Sequence, residues 1–372
     1  MSYPRYEYKD PSIKVRLTKM PIHTNEVEYP DFDTPITALE NFVRMIKREN
    51  PLWAPNSFSD MQTLIAQYLV TKDVRGMIIN ADFRNHTPED YIFIDWFNTS
   101  WKWIQSEGGA MLTPGTKLLD DITNWERDLV WPDLSEWDFE DTAARFMKDE
   151  YIPGKILNIN LGRGCTERLV SLVGGYSEGM LAFATEPEAV KAFCEKYADH
   201  VIEIFDKIFP LYPVSLITYH DDWGTERDTF FSERMMEDIV FEPTKRIIDH
   251  IKSKGVFFML HSCGNITRFM PYIVDLKADL LQIQRRAVNI PELKRIYGDK
   301  VGFNTGLEGY DGGKKLSNKQ LAELVRNTVD IYAPKGGFLA NFFSPDPEQV
   351  WNLLSELYAY SREFYDKEQG RA

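Results

Sequence analysis

The sequence predicts an α/β protein, a single (β/α)8 TIM barrel with an N-terminal arm and an insertion before the third strand. Three observations predict it. The 372 residues fit the range of such barrels, roughly 200 to more than 400 residues. From Ser215 onward, short apolar runs alternate strictly with helical segments, as the crossovers between parallel strands require. No G-x-G-x-x-G follows any of these runs, which argues against the alternative, an open doubly wound sheet.

Residues 1–34 carry Pro4, Pro11, Pro21 and Pro30 among alternating charges and read as an irregular arm, leaving 35–372 as one barrel domain. The segment TALENFVRMIKREN places Leu39, Phe42, Val43 and Ile46 at a helical period. Strands are expected near Trp53–Pro55, Tyr91–Asp95, Ile156–Asn160, Ser215–Tyr219, Val256–His261, Asp279–Gln284, Val301–Thr305 and Gly337–Phe342. Capping boxes are expected at Thr185 with Glu188 and at Ser317 with Gln320. Asp346 and Pro347 start a last helix whose stripe is Val350, Leu353, Leu354 and Leu357. Residues 108–149 are polar, Trp-studded and poorly periodic, and read as an insertion over one end of the barrel.

The balance of 43 basic and 57 acidic residues, a net charge of −14, disfavours nucleic acid or an anionic membrane as a partner. There is no run of 18 apolar residues, and the opening MSYPRYEYKDPSIK lacks the apolar core of a signal peptide. Cys165, Cys194 and Cys263 are too few and too scattered for a disulfide framework. A cytoplasmic location is the expectation.

Catalytic groups in this architecture lie at the carboxyl ends of the strands. There the sequence offers His220-Asp221-Asp222-Trp223, His261-Ser262-Cys263, Gln282-Ile283-Gln284, Asn304-Thr305 and Asn341-Phe342. Adjacent carboxylates point in different directions, so one of Asp221 and Asp222 is expected to face the mouth while the other caps or turns the chain. His220 serves equally well as a packing residue. His261, directly after an apolar run, suits proton transfer near neutral pH. Cys263 shares its side of the strand, and His-x-Cys is half of a zinc site.

The segments DDWGT (221–225), Pro243, HSCGN (261–265), Ile273 and DLLQIQ (279–284) resemble the uroporphyrinogen decarboxylase superfamily. TALENFVRMIKRENPLWAPN and LLDDITNWERDLVWPDL are similar to segments of its corrinoid-dependent methyltransferases, and the resemblance spans about Pro35 to Tyr365. It departs from the decarboxylases, whose Arg-Gln-Ala-Gly-Arg-Tyr motif is replaced here by ENPLWAPNSFSD. It also departs from the thiol-methylating branch, which adds a second cysteine at the last strand where this chain has GGFLANFFSPD.

The resemblance therefore implies the methyltransferase component of an O-demethylase. Such an enzyme moves a methyl group from a methoxylated aromatic to the Co(I) corrinoid (cobalamin) of a partner protein. The expected catalytic residues are His261, Asp222, Asp221 and His220. Substrate contacts are expected from Trp223, Glu226, Cys263, Gln284, Asn304 and Phe342, with Trp96, Trp101, Trp103 and Phe343 as further walls for the arene. No metal is the favoured expectation; if zinc binds, His261 and Cys263 hold it, joined by an oxygen ligand such as Asp222 or Glu226. The alternatives are a uroporphyrinogen-type decarboxylase, a zinc-dependent corrinoid:thiol methyltransferase, and a non-catalytic binding protein on the same scaffold.

Overall fold

The computed structural model describes residues 2–19, 26–64, 91–104, 109–310, 316–344 and 346–371. The chain opens with the antiparallel pair β1 (Lys14–Lys19) and β2 (Glu26–Asp31), then α1 (Ala38–Lys47) and β3 (Met61–Thr63). A three-stranded antiparallel sheet follows, made of β4 (Tyr91–Ile94), β5 (Ser100–Ile104) and β6 (Gly109–Leu112), and after it α2 (Trp125–Asp128) and α3 (Phe139–Asp149). Next come β7 (Ile156–Leu161), α4 (Cys165–Val173), α5 (Tyr176–Thr185), α6 (Pro187–Ile208), β8 (Leu216–His220), α7 (Glu233–Met235) and α8 (Phe241–Ser253). The remainder is β9 (Phe257–Ser262), α9 (Met270–Asp275), β10 (Leu280–Ile283), α10 (Ile290–Tyr297), β11 (Gly302–Thr305), α11 (Asn318–Tyr332), β12 (Phe338–Ala340) and α12 (Pro347–Glu368).

The central sheet is parallel throughout and runs β12-β11-β10-β9-β8-β7-β3. One stretch of chain meets both its edges. Ala340 N donates to Pro55 O and Ser57 N to Ala340 O at one edge, while β3 pairs with β7 at the other. The sheet is thereby curled, and side-chain alternation sorts its two faces. Met61, Ile156, Leu216, Met259, Leu280 and Leu339 pack inside against Phe42, Met45 and Ile46 of α1, which plugs the amino end. Residues one step along the strands, such as Leu157, Ile217, Tyr219, Phe258, Leu281 and Phe303, face the outer helices.

Seven strands and this bridging stretch account for the curled sheet among the described residues. Residues 53–55 form no strand; the parallel pairing expected there falls at Asn56 and at 61–63. Tyr91–Ile94 is a strand, but of the antiparallel sheet. Its reversal is local: Asp95 accepts from the backbone of Phe97 and Thr99, and Asn98 takes φ +64°. The insertion therefore includes residues 91–112, upstream of the expected Gly108. The arm is also more regular than expected, with a ladder pairing Lys14 with Asp31 through Lys19 with Glu26. Ser317 and Gln320 form the expected capping box, whereas Thr185 closes α5 and α6 starts at Pro187 after Glu186. Among the described residues no helix is long and apolar enough to cross a membrane.

The insertion is clamped onto α4 and α6. The Arg168 guanidinium, fully buried, bonds the Asp95 carboxylate at 2.6 Å. His200 of α6 lies among Trp96, Phe97 and Trp131. Burial, aided by Lys196 and Arg168, pushes its pKa down from 6.5 to about 4. An unfolded chain takes up this proton below about pH 6.5 while the folded one refuses it. The stability present above that pH, about 3 kcal/mol for this group, is therefore lost as pH falls towards 4. His200→Phe is expected to lessen the fall of the urea midpoint between pH 6.5 and 4; an unchanged slope would contradict this.

Candidate active site

Along the barrel interior an apolar floor gives way to a polar layer and then to ionisable groups. Above Leu216 stand Thr218 and His220; above Met259 stands His261; above Leu280 stands Gln282, level with Asn304 on β11. Asn158 accepts from Thr218 at 2.9 Å and donates to Asn160 at 3.0 Å. At the carboxyl end His220 and His261 are register partners, and their rings stack with centroids 3.7 Å apart and planes 16° apart.

Both imidazoles are held from behind. His220 Nδ1 meets Glu167 Oε2 at 3.2 Å, and His261 Nδ1 meets Gln282 Oε1 at 2.6 Å. With each Nδ1 engaged, each Nε2 is left for the mouth. Asp222 joins them, its Oδ1 4.0 Å from His261 Nε2 and bonded by the Cys263 amide at 2.6 Å. One ligand atom from each of His220, Asp222 and His261 lies within 4.8 Å of the others. Cys263 Sγ sits 3.5 Å from His261 Nε2. Burial pushes both histidines down to about 4, His261 further lowered by His220. Both rings are therefore neutral at pH 7, which suits metal ligation or hydrogen-bond acceptance and not general-acid work by His261. The Cys263 thiol is pushed well up by burial and by Asp222 and Glu167.

Asp221 proves to be the capping member of the acidic pair. It is fully buried and accepts from the amides of Thr166 and Glu167 at the start of α4 and from Trp223 Nε1. Burial, with Glu167 nearby, pushes its carboxyl up to about 8 against the pull of these three donors. Gly164 permits this approach: a Cβ there would lie 2.4 Å from the Asp221 Cβ. The glycines of DDWGT and HSCGN have a similar reason, because the two loops cross backbone on backbone. A Cβ on Gly264, at φ +79°, would lie 2.1 Å from Gly224 O. Gly264→Ala is expected to destabilise by more than the about 1–3 kcal/mol of backbone strain alone; an unchanged urea midpoint would refute the close crossing.

The remaining expected residues scatter. Gln284, exposed, braces the loop by donating to Cys263 Sγ and accepting from Gly264 N. Glu226 is exposed in the turn 225–228. Asn304 is buried and bonded to Gln282, Ser57 and the Leu339 carbonyl. Trp223, Phe342, Trp96, Trp101 and Trp103 are all buried in packing, and Phe343 packs against Phe58. One face of Trp101 is covered by the Arg163 guanidinium at 3.5 Å. These side chains were expected to wall an arene site; core packing claims them instead.

Sequence reasoning missed Glu167, Arg163, Tyr176 and Phe230. The first two follow β7 in LGRGCTE, a strand end like the others, and reading that end for ionisable groups would have found them. Glu167 also lies 3.5 Å from Arg163. Tyr176 stacks on Phe230 with centroids 4.5 Å apart. Tyr176 is 37% exposed, and its phenol is pushed up by partial burial and by the charges of Glu167, Asp222 and Asp221.

Residues 168–306, spanning β8 to β11 and both loops just described, match the family model of uroporphyrinogen decarboxylase (URO-D). The superfamily resemblance carried by DDWGT and HSCGN is thereby shown. Among solved structures, a methyltransferase from Methanosarcina mazei is 13% identical, covers 89% of this chain and 99% of its own, and superposes with a TM-score of 0.62. That likeness is one of fold. An L-ribulose 3-epimerase, also 13% identical, covers 64% of this chain and 84% of its own with a TM-score of 0.38. No curated protein matches the sequence.

Proposed function

We propose that this chain is a methyltransferase that takes the methyl group of an aryl methyl ether and passes it to the Co(I) corrinoid of a separate protein. The observation that carries the reading is the trio His220, Asp222 and His261, an N/O/N donor set with both Nδ1 atoms engaged behind it. Imidazole and carboxylate ligands with a thiol beside them suit zinc, and three protein ligands leave an open position. Hydrogen bonds behind the ligating histidines are the support such a site needs. Bound there, a divalent ion supplies a Lewis acid for an ether oxygen.

In the reaction the cobalt electron pair forms the bond to the methyl carbon as the carbon–oxygen bond breaks, and its pair stays on the phenolic oxygen. An unprotonated phenoxide, of pKa about 10, leaves slowly without help. His220, Asp222 and His261 all turn lone pairs to the mouth, so they would hold the divalent ion that takes the charge developing on the phenolic oxygen. The protonated Tyr176 phenol offers a hydrogen bond to the departing oxygen, and its stack with Phe230 flanks a flat ring.

Two alternatives fit less well. Cys165 and Cys194 are buried together, Cys165 Sγ 3.9 Å from Cys194 O and within reach of Tyr219 Oη, so neither supplies the second thiolate of a thiol-activating site. Arg163 and Arg168 are committed to Glu167 and Asp95, which leaves neither for the carboxylates of a porphyrinogen. The test is to incubate the protein with a reduced corrinoid protein and a panel of methoxyarenes while following the cobalt absorbance. A methyl-cobalt spectrum appearing with one class of methoxyarene supports the reading; its absence across the panel, with CO₂ released from a porphyrinogen, would replace it.

A further inference from the structure

We infer that Gln282 and Asn304 are positioning residues that lock His261 in one tautomer, its proton on Nδ1 and its Nε2 lone pair turned into the mouth. The lock is set three strands away, by a backbone carbonyl that can only accept. Asn304 Nδ2 lies 3.0 Å from Leu339 O and 2.9 Å from Ser57 Oγ. The Leu339 carbonyl requires a donor, so the nitrogen of the Asn304 amide faces it. The Asn304 oxygen must then face Gln282, which presents its Nε2 in return. The Gln282 oxygen is left for His261 Nδ1 at 2.6 Å, and only a protonated Nδ1 satisfies it.

Each link is fixed by register as well as by chemistry. His261, Gln282, Asn304 and Leu339 are consecutive Cα partners across β9, β10, β11 and β12. Asn304 is 1% exposed, so water is not at hand to replace a lost partner, and an amide flip would leave buried groups unpaired. Glu167 Oε2, 3.2 Å from His220 Nδ1, takes the corresponding place behind His220 in one step. An imidazole free in water keeps its proton mainly on Nε2, the atom that here must ligate or accept. The relay thus prepares His261 for the role that the proposed function gives Nε2; that consequence rests on the proposed function, the tautomer itself does not.

The test uses the whole chain labelled with ¹⁵N-histidine, with the His261 resonances assigned by their loss in His261→Gln. In the metal-free protein Nε2 is expected to show the pyridine-type resonance of an unprotonated ring nitrogen. Asn304→Leu removes the acceptor that orients Gln282, and Gln282→Leu removes the last link. Both should move the proton towards Nε2 and lower zinc affinity about 10–100-fold. Asn304→Asp, whose buried carboxyl can stay protonated and donate to Leu339 O, still accepts from Gln282 and should keep the wild-type tautomer, which separates polarity from mere space filling. Should Asn304→Leu fail to fold, Gln282→Leu carries the same expectation. A wild-type Nε2 that is protonated, or leucine variants that keep the wild-type tautomer, would overturn the inference. The expected tautomers together with no zinc binding would uphold it and refute the metal centre instead.

Discussion

His261→Ala lowers methyl transfer by about 10² or more, on the scale of losing a principal catalytic group, while the barrel stays folded. The side chain is half-buried at a strand end and bears on the site by Nε2, which faces Asp222 at 4.0 Å and Cys263 at 3.5 Å. With a pKa near 4 it is neutral at pH 7, so the loss reflects a missing ligand or acceptor. His220→Ala should fall with it, because the stacked rings offer their atoms to the same space. Single-turnover rates with a methylated substrate, beside far-UV circular dichroism, measure both effects. Near wild-type transfer by His261→Ala would show that the ring merely packs.

Asp95→Ala costs about 3–5 kcal/mol of stability, the scale of leaving a buried charge without its partner. Arg168 has no exposed side-chain surface, and Asp95 is its carboxylate. The same carboxylate shapes the turn at Phe97 and Thr99 and holds Trp101 Nε1 at 2.9 Å. Removing it therefore loosens the antiparallel sheet from α4, the helix that carries Glu167. The double variant Asp95→Leu with Arg168→Met should recover much of the loss, since an apolar pair can replace a buried ion pair. Urea unfolding decides the matter: a single variant within about 1 kcal/mol of wild type would mean that the pair does not clamp the insertion.

The legible half of the fold was the half where period and turn chemistry agree. The strands from Ile156 onward fall within a residue or two of their expected ends, because each apolar run is followed by a helix, and several of these start at a side-chain cap, as at Asn289, Ser317 and Asp346. Tyr91–Ile94 misled because the alternation of a cap strand is the same as that of a barrel strand; only the partner differs, and partners are long-range. The site was legible where polar residues end strands, as with His220, Asp222, His261 and Cys263. Glu167 was legible after β7 in LGRGCTE but was passed over, whereas Tyr176 was not legible, since it stands on the second helix after that strand. The tryptophans failed for a simpler reason: aromatic residue type does not tell a ligand wall from a core, and here the core holds them.

The central claim, that a methyl group leaves an ether oxygen for cobalt at this mouth, is tested most directly with a methoxyarene carrying a ¹³C-methyl label. Mixed with the protein and a reduced corrinoid protein, it should place the label on cobalt, one equivalent for each phenol released, with transfer lost in His261→Ala. Label found on a thiol, or phenol released at the same rate by the variant, would contradict the account.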